Sequence, residues 1–268
     1  MRDFVSWNWS QSGRRLLRAD AIFVSFPKSG RTWARVFYYA YLAKLTGREF
    51  SCDAGDFSEY PHLFFTHDRW EHRRLPGWWN FIRGKHLVPP KARREHKIIL
   101  MVRDPRDVVV SLYFHLRKRP NVFKWTPQPI GEMLRDPKFG IAPVIELMND
   151  WLDEWQGRPN FKLLRYEDCK AQAAREFRGL LAFLGLAPVE DTAFAHALEF
   201  SRFENMQAME ASGKFKEREL SAGNRADQES FKARSGKVGG FHEHFSADDI
   251  AYAAREMEKL DSRFGYAA

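Results

Sequence analysis

The segment at positions 27–33 has the residue types of an anion-binding loop. Its sequence is Pro27, Lys28, Ser29, Gly30, Arg31, Thr32 and Trp33. It follows the apolar run at positions 21–24, and a helical pattern begins directly after it. Backbone N–H groups at a helix N-terminus, with a lysine beside them, suit a phosphate group. The order Lys-Ser-Gly differs from the Gly-Lys-Ser/Thr of nucleoside-triphosphate loops, so the sequence indicates a different phosphate chemistry.

Arg103 and Ser111 form a second candidate anion-binding pair. Arg103 directly follows the apolar run at positions 97–102, which is typical of a strand buried on both faces. Asp104 is a natural N-cap, and Ser111 lies seven residues after it on the same helix face. Open α/β sheets bind ligands at this end of their strands, so both side chains are expected to contact one anion. Taken alone, the run is more typical of a capped helix start with salt bridges.

A glycine-rich basic segment late in the chain is the third candidate. Its sequence is Arg234, Ser235, Gly236, Lys237, Val238, Gly239, Gly240 and Phe241. Such backbone, flanked by arginine and lysine, can enclose a phosphate group. By itself the pattern is more typical of a basic flexible loop.

Strands and helices alternate along the chain, which predicts one α/β domain over residues 1–268 with a central parallel sheet flanked by helices. The predicted strands span residues 21–26, 97–102 and 161–165, and the predicted helices span residues 31–46, 141–155, 171–184, 191–200 and 247–262. Another helix is expected to begin at Pro105, and Gly47 is expected to cap the first helix. Residues 50–96 are predicted to be irregular, and residues 205–240 to form a mobile cover.

The composition favours an anionic partner. The net charge of +8 suits a nucleotide, a sulfated or phosphorylated substrate, nucleic acid or a membrane surface. The two cysteines, Cys52 and Cys169, are too few for a disulfide framework, and a reducing compartment fits them. Because no long apolar run occurs, we expect a cytoplasmic protein without a transmembrane anchor.

The three motifs together resemble the sulfotransferases that use 3′-phosphoadenosine-5′-phosphosulfate (PAPS). In that family a PKSGTTW loop binds the 5′-phosphosulfate, and an Arg/Ser pair with a late RKGxxGDWK loop binds the 3′-phosphate. Here Arg31 replaces the first threonine of the loop. The resemblance implies a three-layer architecture like that of P-loop kinases. It also implies PAPS as co-substrate, held by Lys28, Ser29, Gly30, Arg31, Thr32, Trp33, Arg103, Ser111, Tyr166, Phe203, Arg234, Ser235 and Gly236.

The resemblance also implies two catalytic residues. The family uses the histidine of a KTH segment as general base, and Thr66 and His67 occupy that position, with Phe65 in place of the lysine. His67 would take the proton of a hydroxyl or amine acceptor as that group attacks sulfur in line. Lys28 would stabilise charge on the departing phosphate oxygen.

Two other functions stay open on the residues alone. A kinase-like phosphoryl transferase would need a Mg²⁺-holding hydroxyl after a Gly-Lys pair and an acidic strand end, and neither is evident. A nucleic-acid-binding protein would suit the basic charge, but no recognition motif is present, so no nucleic-acid partner is expected. The histidine pairs 62/67 and 242/244 lack a further carboxylate or cysteine ligand, so no metal is expected.

The sequence leaves the acceptor open between a small molecule and a glycan. Seven aromatic residues are candidates for an apolar acceptor pocket or for the core: Phe64, Phe65, Trp70, Trp78, Trp79, Phe114 and Trp125. The basic segment at positions 83–97 would suit an anionic acceptor such as a glycan. No dimer motif is recognisable after the late loop, so the oligomeric state stays open.

Overall fold

The computed structural model describes residues 15–73, 87–118, 128–213 and 224–267. The helices and strands, in chain order, are β1 (Ala21–Ser25), α1 (Arg31–Thr46), β2 (Leu63–Thr66), α2 (Arg69–Arg73), α3 (Pro90–Glu95), β3 (Lys97–Val102), α4 (Pro105–Lys118), α5 (Ile130–Leu134), α6 (Ile141–Trp155), β4 (Phe161–Arg165), α7 (Tyr166–Ala171), α8 (Ala173–Leu184), α9 (Asp191–Phe200), α10 (Phe203–Ser212) and α11 (Ala247–Met257).

Within the described residues, four parallel strands form one sheet in the order β2-β1-β3-β4. The register places Phe23 of β1 between Phe65 of β2 and Ile99 of β3. The central strands β1 and β3 are buried almost throughout, which explains why their apolar residues are consecutive rather than alternate. All four carboxyl ends lie at one edge, so the segments that follow the strands meet there.

Helices cover both faces of the sheet and make three layers. On one face, α4, α6 and α11 build an apolar core that includes Leu112 and Trp151. On the other face, α1, α8 and α9 build a second core, in which the rings of Phe37 and Phe177 stack with centroids 4.3 Å apart. The α/β fold predicted from the sequence, with its central parallel sheet flanked by helices, is confirmed.

Two helix ends follow the local signals in the sequence. Gly47 ends α1 in the left-handed conformation, with a φ of 68°, as expected of a C-cap glycine. The side chain of Asp104 accepts a hydrogen bond from the backbone N–H of Arg106 at 2.9 Å, as an N-cap residue does.

The prediction that residues 50–96 are irregular was wrong at the helices α2 and α3, and also at the segment Leu63–Thr66. This segment is β2, an edge strand paired only with β1 among the described strands. It has only four residues, too few to show a long apolar run or a clean alternation of apolar and polar residues. The side chains of Phe64 and Phe65 are both partly exposed. The pairing of β2 with β1 therefore comes from tertiary contacts rather than from a local pattern.

Three further boundaries differ from the prediction. The helix expected over residues 171–184 is two helices, α7 and α8, which meet at Gln172. The last helix ends at Met257 rather than at residue 262. The segment expected to be a mobile cover begins with the helix α10, and positions 214–223 within it lie outside the described residues.

The buried thiol of Cys169 gives a test of this packing. Cys169 is fully buried, and burial raises the pKa of its thiol to about 12, whereas Cys52 is half-buried. Because the thiolate is the reactive form, we expect a thiol reagent such as DTNB to titrate one cysteine rapidly in the native protein and both after denaturation. Cys52→Ser should abolish the rapid reaction. Rapid labelling of the native Cys52→Ser variant would contradict the burial of Cys169.

Candidate functional site

A cleft of about 1030 Å³ lies at the carboxyl ends of the strands. It brings together thirteen of the fourteen residues that the sequence singled out. They are Lys28, Gly30, Arg31, Thr32, Trp33, His67, Arg103, Ser111, Tyr166, Phe203, Arg234, Ser235 and Gly236. The remaining residue, Ser29, is buried within the loop and does not line the cleft.

The loop between β1 and α1 has a backbone that few residue types tolerate. Lys28 has a φ of 73° and Gly30 a φ of 101°, both in the left-handed region. A Cβ atom at position 30 would lie 2.6 Å from Cε of Met101 and 2.8 Å from Cδ2 of Tyr166, so only glycine fits there. This turn puts the N-terminus of α1 at the cleft, and the first turn of α1 holds no acidic residue. The positive end of the helix dipole therefore faces the cleft.

The hydroxyl of Ser29 is buried and has no hydrogen-bond partner among the described residues. A buried polar atom of this kind is costly unless a ligand or water satisfies it. Its position in the turn before α1 is suited to an oxyanion, which accepts from hydroxyl and backbone N–H donors alike.

Arg103 is the buried cation that joins the walls of the cleft. Its Nη2 donates to the carbonyl of Lys237 at 2.7 Å and lies 3.5 Å from a carboxylate oxygen of Asp107. Its Nη1 donates to the carbonyl of Lys28 at 3.4 Å, and its Cζ lies 4.5 Å from the ring centroid of Tyr166. Its Nε is buried without a partner among the described residues. Ser111 lines the same cleft two turns along α4.

The late basic segment packs directly against this wall. Gly236 has a φ of 61°, and a Cβ atom there would lie 2.8 Å from the ring of Phe203. The hydroxyl of Tyr166 donates to the carbonyl of Gly236 at 3.2 Å, and burial raises the pKa of that phenol, which keeps it a donor. The guanidinium of Arg234 lies 4.0 Å from the ring centroid of Phe114. Burial lowers the pKa of Arg234 from its usual high value.

Asp107 fixes the late segment to α4, a role that the sequence did not reveal. Its carboxylate accepts hydrogen bonds from the backbone N–H groups of Gly239 at 2.9 Å and Phe241 at 3.1 Å. Burial raises the pKa of Asp107, and the nearby Arg103 opposes that shift. The sequence showed Asp107 only as an acid near a helix N-terminus, because its partners are more than 130 positions away.

A second link that the sequence did not reveal joins the C-terminal segment to the wall of the cleft beside Tyr166. The carboxylate of Glu167 accepts from the backbone N–H of Asp104 at 3.0 Å and from the hydroxyl of Tyr266 at 2.6 Å. The ring of Tyr266 lies under the guanidinium of Arg165, at 4.5 Å. These contacts hold the carboxyl ends of β3 and β4 together.

His67 directly follows β2, on the opposite side of the sheet order from Tyr166. Its Nδ1 lies 2.7 Å from the carbonyl oxygen of Ser25, and its ring packs edge-on against Trp70 with centroids 5.6 Å apart. A carbonyl only accepts, so a neutral His67 carries its proton on Nδ1. In that tautomer Nε2 is the basic nitrogen of the ring.

The aromatic candidates divide between core and cleft. Phe65 lines the cleft, Trp70 is buried in the core, and Phe114 supports Arg234. Trp33 lines the cleft and packs edge-on against Tyr166, with centroids 5.9 Å apart. Trp78, Trp79 and Trp125 lie outside the described residues, as does part of the basic segment at positions 83–97.

Neither a membrane-spanning helix nor a metal-binding cluster is found in the described parts of the chain. No helix there combines the length and the apolar character needed to cross a membrane. No group of three or more His, Cys, Asp or Glu side chains in those same residues is arranged to hold a metal ion.

The family of the chain follows from a comparison with known domains. The family model described as a sulfotransferase domain matches residues 18–265, so the chain belongs to the sulfotransferase family.

Curated relatives are about a quarter identical to this chain over the aligned residues. Sulfotransferase 2B1 of Homo sapiens is 28% identical over 215 residues, which cover 72% of this chain and 53% of the human protein. Cytosolic sulfotransferase 14 of Arabidopsis thaliana is 23% identical over 225 residues, which cover 72% of this chain and 62% of that protein. Sulfotransferase 6B1 of Danio rerio is 26% identical, with 92% of this chain and 82% of that protein covered. The chain thus spans about half the length of the human relative.

Two solved structures share the fold. Mouse sulfotransferase SULT7A1 complexed with PAP superposes with a TM-score of 0.61 at 22% identity, over 90% of this chain and 84% of the mouse chain. Retinol dehydratase in a complex with retinol and PAP superposes with a TM-score of 0.60 at 18% identity, over 96% of this chain and 85% of that chain. The likeness extends over nearly all of the α/β domain.

Removing the Asp107 carboxylate tests the link between α4 and the late segment. We expect Asp107→Ala to lower the free energy of unfolding by about 3 kcal/mol, because it leaves Arg103 buried without its carboxylate. Amide hydrogen exchange at Gly239 and Phe241 should accelerate, since both amides lose their acceptor. Asp248→Ala, at an exposed residue paired with Arg135, is the matched control and should change neither measurement. Unchanged exchange at Gly239 and Phe241 in Asp107→Ala would contradict this role.

Proposed function

We propose that the protein is a PAPS-dependent sulfotransferase that moves a sulfuryl group to a hydroxyl or amine acceptor. The observation that carries the proposal is that one cleft contains two separate groups of residues suited to binding an anion. The loop before α1 offers one group, and Arg103, Ser111 and Arg234 offer the other. A nucleotide with phosphate at both its 3′ and 5′ positions matches this pair, whereas ATP has no phosphate for the second group.

Two features of the site's side chains fit such a nucleotide, and the fold agrees with it. The buried hydroxyl of Ser29 and the buried Nε of Arg103 are polar atoms that an anionic ligand would satisfy. Trp33, Tyr166 and Phe203 supply aromatic surface for a purine between the two anion-binding groups. Two PAP-bound structural neighbours, mouse sulfotransferase SULT7A1 and retinol dehydratase, add support at the level of the fold.

In the proposed reaction the loop residues bind the 5′ end of the co-substrate. Bound PAPS supplies the sulfuryl group, whose bond to a phosphate oxygen breaks as the acceptor oxygen or nitrogen bonds to sulfur. Lys28 stabilises the negative charge that develops on the phosphate oxygen. The backbone N–H groups of Gly30, Arg31 and Thr32, with the hydroxyls of Ser29 and Thr32, hold the phosphate in place.

His67 is the proposed general base. Its Nδ1–H donates to the carbonyl of Ser25, which fixes the ring and leaves Nε2 to take the acceptor proton. The Ser25 carbonyl thus orients the ring, with Nε2 available for proton transfer.

The acceptor is a small molecule or a glycan in this proposal. Phe65 supplies apolar surface beside His67 for its carbon skeleton. A cytoplasmic location and the absence of a metal remain predictions from the sequence.

Substitution of the two proposed catalytic residues tests the mechanism. We expect His67→Ala to lower kcat for transfer of labelled sulfate from PAPS by about a hundredfold or more, since general bases contribute on this scale. Its affinity for PAP should stay unchanged, because His67 contacts the acceptor. Lys28→Ala should lower kcat as well. The control is His196→Ala, outside the cleft, which should retain activity. A His67→Ala variant at the wild-type rate would exclude this residue as the base.

Recognition of the 3′-phosphate is tested by comparing the affinities of two nucleotides, PAP and AMP. We expect Arg234→Gln to weaken PAP about tenfold while AMP, which lacks the 3′-phosphate, binds as to the wild type. Arg175→Gln, at an exposed residue, removes the same charge elsewhere and should change neither affinity. Calorimetry without Mg²⁺ measures the affinities for PAP and for AMP. Equal losses for PAP and AMP would contradict the assignment, and tight binding of Mg-ATP in place of PAP would favour a kinase.

A further inference from the structure

One face of the helix α10 packs against the late basic segment. The ring of Phe203 lies against Gly236, and Met206 shares an apolar cluster with Ala233. Two polar residues of the same helix bond to the backbone of the segment. The four contacting positions follow one another at intervals of three, one and three residues, so they lie on one side of the helix: Phe203, Met206, Gln207 and Glu210.

Glu210 is a fully buried carboxylate on this face. It is 0% exposed, and two consecutive backbone N–H groups donate to its two oxygens. The N–H of Lys232 donates to Oε2 at 2.8 Å, and the N–H of Ala233 donates to Oε1 at 2.9 Å. A buried charge is costly unless hydrogen bonds compensate it. A carboxylate offers both acceptors at once, whereas a glutamine amide offers one, so the geometry at position 210 calls for an acid.

Gln207 holds the carbonyl groups of the same stretch. Its Nε2 donates to the carbonyl of Ala233 at 2.7 Å and to that of Arg234 at 3.1 Å. The described residues 231–238 form neither helix nor strand, so this backbone has no ladder of its own to fix it. The two polar side chains of α10 therefore take over that task directly before and at Arg234.

Arg234 lies between two such anchors. Asp107 of α4 holds the far end of the segment through the backbone N–H groups described above. The guanidinium of Arg234 packs on the Phe114 ring and pairs with Glu229 at 3.4 Å. Arg234 lines the cleft, whereas Glu210 does not. Glu210 can thus affect a bound nucleotide only through the backbone that it holds.

We propose that Glu210 and Gln207 are positioning residues for the 3′-phosphate, which fix the backbone at residues 232–234 so that the Arg234 guanidinium stays at the wall of the cleft. The assignment rests on the proposed sulfotransferase function and deepens it, because it names what keeps a phosphate-binding arginine in place. Ordering a flexible loop on binding costs conformational entropy, and a backbone that is fixed in advance lowers this cost.

The variant Glu210→Gln keeps the size of the side chain and removes one of its two acceptors. We expect it to weaken PAP about fivefold, the scale of one lost hydrogen bond. The affinity for AMP should stay unchanged, because AMP lacks the phosphate that Arg234 is proposed to bind. Calorimetry on the full chain measures both affinities. Glu204→Gln, at an exposed position of the same helix, removes the same charge and should change neither.

A double-mutant cycle decides whether Glu210 acts through Arg234. Residues that act through one group lose their effect once that group is gone. The double variant Glu210→Gln/Arg234→Gln should therefore bind PAP as Arg234→Gln does, within about twofold. Losses that multiply to about fiftyfold overturn the proposal, since the two residues then act independently. Equal losses for PAP and AMP in Glu210→Gln also overturn it, because they indicate a merely structural role.

Gln207→Met keeps the test decisive where Glu210→Gln does not fold. It removes both donors to the carbonyls with a side chain of similar length, and we expect about fivefold weaker PAP with unchanged AMP. Wild-type PAP affinity in either folded variant overturns the positioning role. Failure of PAP to bind the wild type overturns the sulfotransferase function instead. Wild-type PAP affinity in Arg234→Gln overturns the assignment of Arg234 and the positioning role together.

Discussion

The burial of the Arg103 guanidinium is the constraint on which the site depends. A buried charge is tolerated only where partners surround it, and Arg103 takes its partners from four separate segments. They are the carbonyls of Lys28 and Lys237, the carboxylate of Asp107 and the ring of Tyr166. The loop before α1, the start of α4, the end of β4 and the late segment are thus assembled around one cation. Any of them that moves leaves this charge less well compensated.

The same constraint explains why acidic residues occur in a cleft proposed to bind an anion. Asp107 holds the late segment through two backbone N–H groups and compensates Arg103, while Glu167, next to the lining residue Tyr166, joins the ends of β3 and β4. Both carboxylates accept hydrogen bonds from backbone N–H groups, so their negative charge is compensated within the protein. The cations at the rim of the cleft then remain in excess, which a ligand with several negative charges requires.

The sequence predicted the parts of the site whose signals are local. Residues adjacent in sequence determine each of these parts: the Lys28 loop, the helix after it and the strand before Arg103. Asp107, Glu167 and Tyr266 could not be found in this way, because their partners lie from 63 to 134 positions away in the chain. β2 was missed because an edge strand of four residues has no periodic pattern of its own.

At position 28 the left-handed backbone lowers the stability of the protein, whereas the lysine side chain serves the proposed chemistry. A side chain at a φ of 73° costs about 1–2 kcal/mol that glycine would not cost. The chain nevertheless has lysine there, where its ammonium group reaches the proposed phosphate site. Mutational libraries ranked by thermal tolerance alone would therefore enrich glycine at position 28. Such a ranking would discard the proposed catalytic cation while reporting an improved protein.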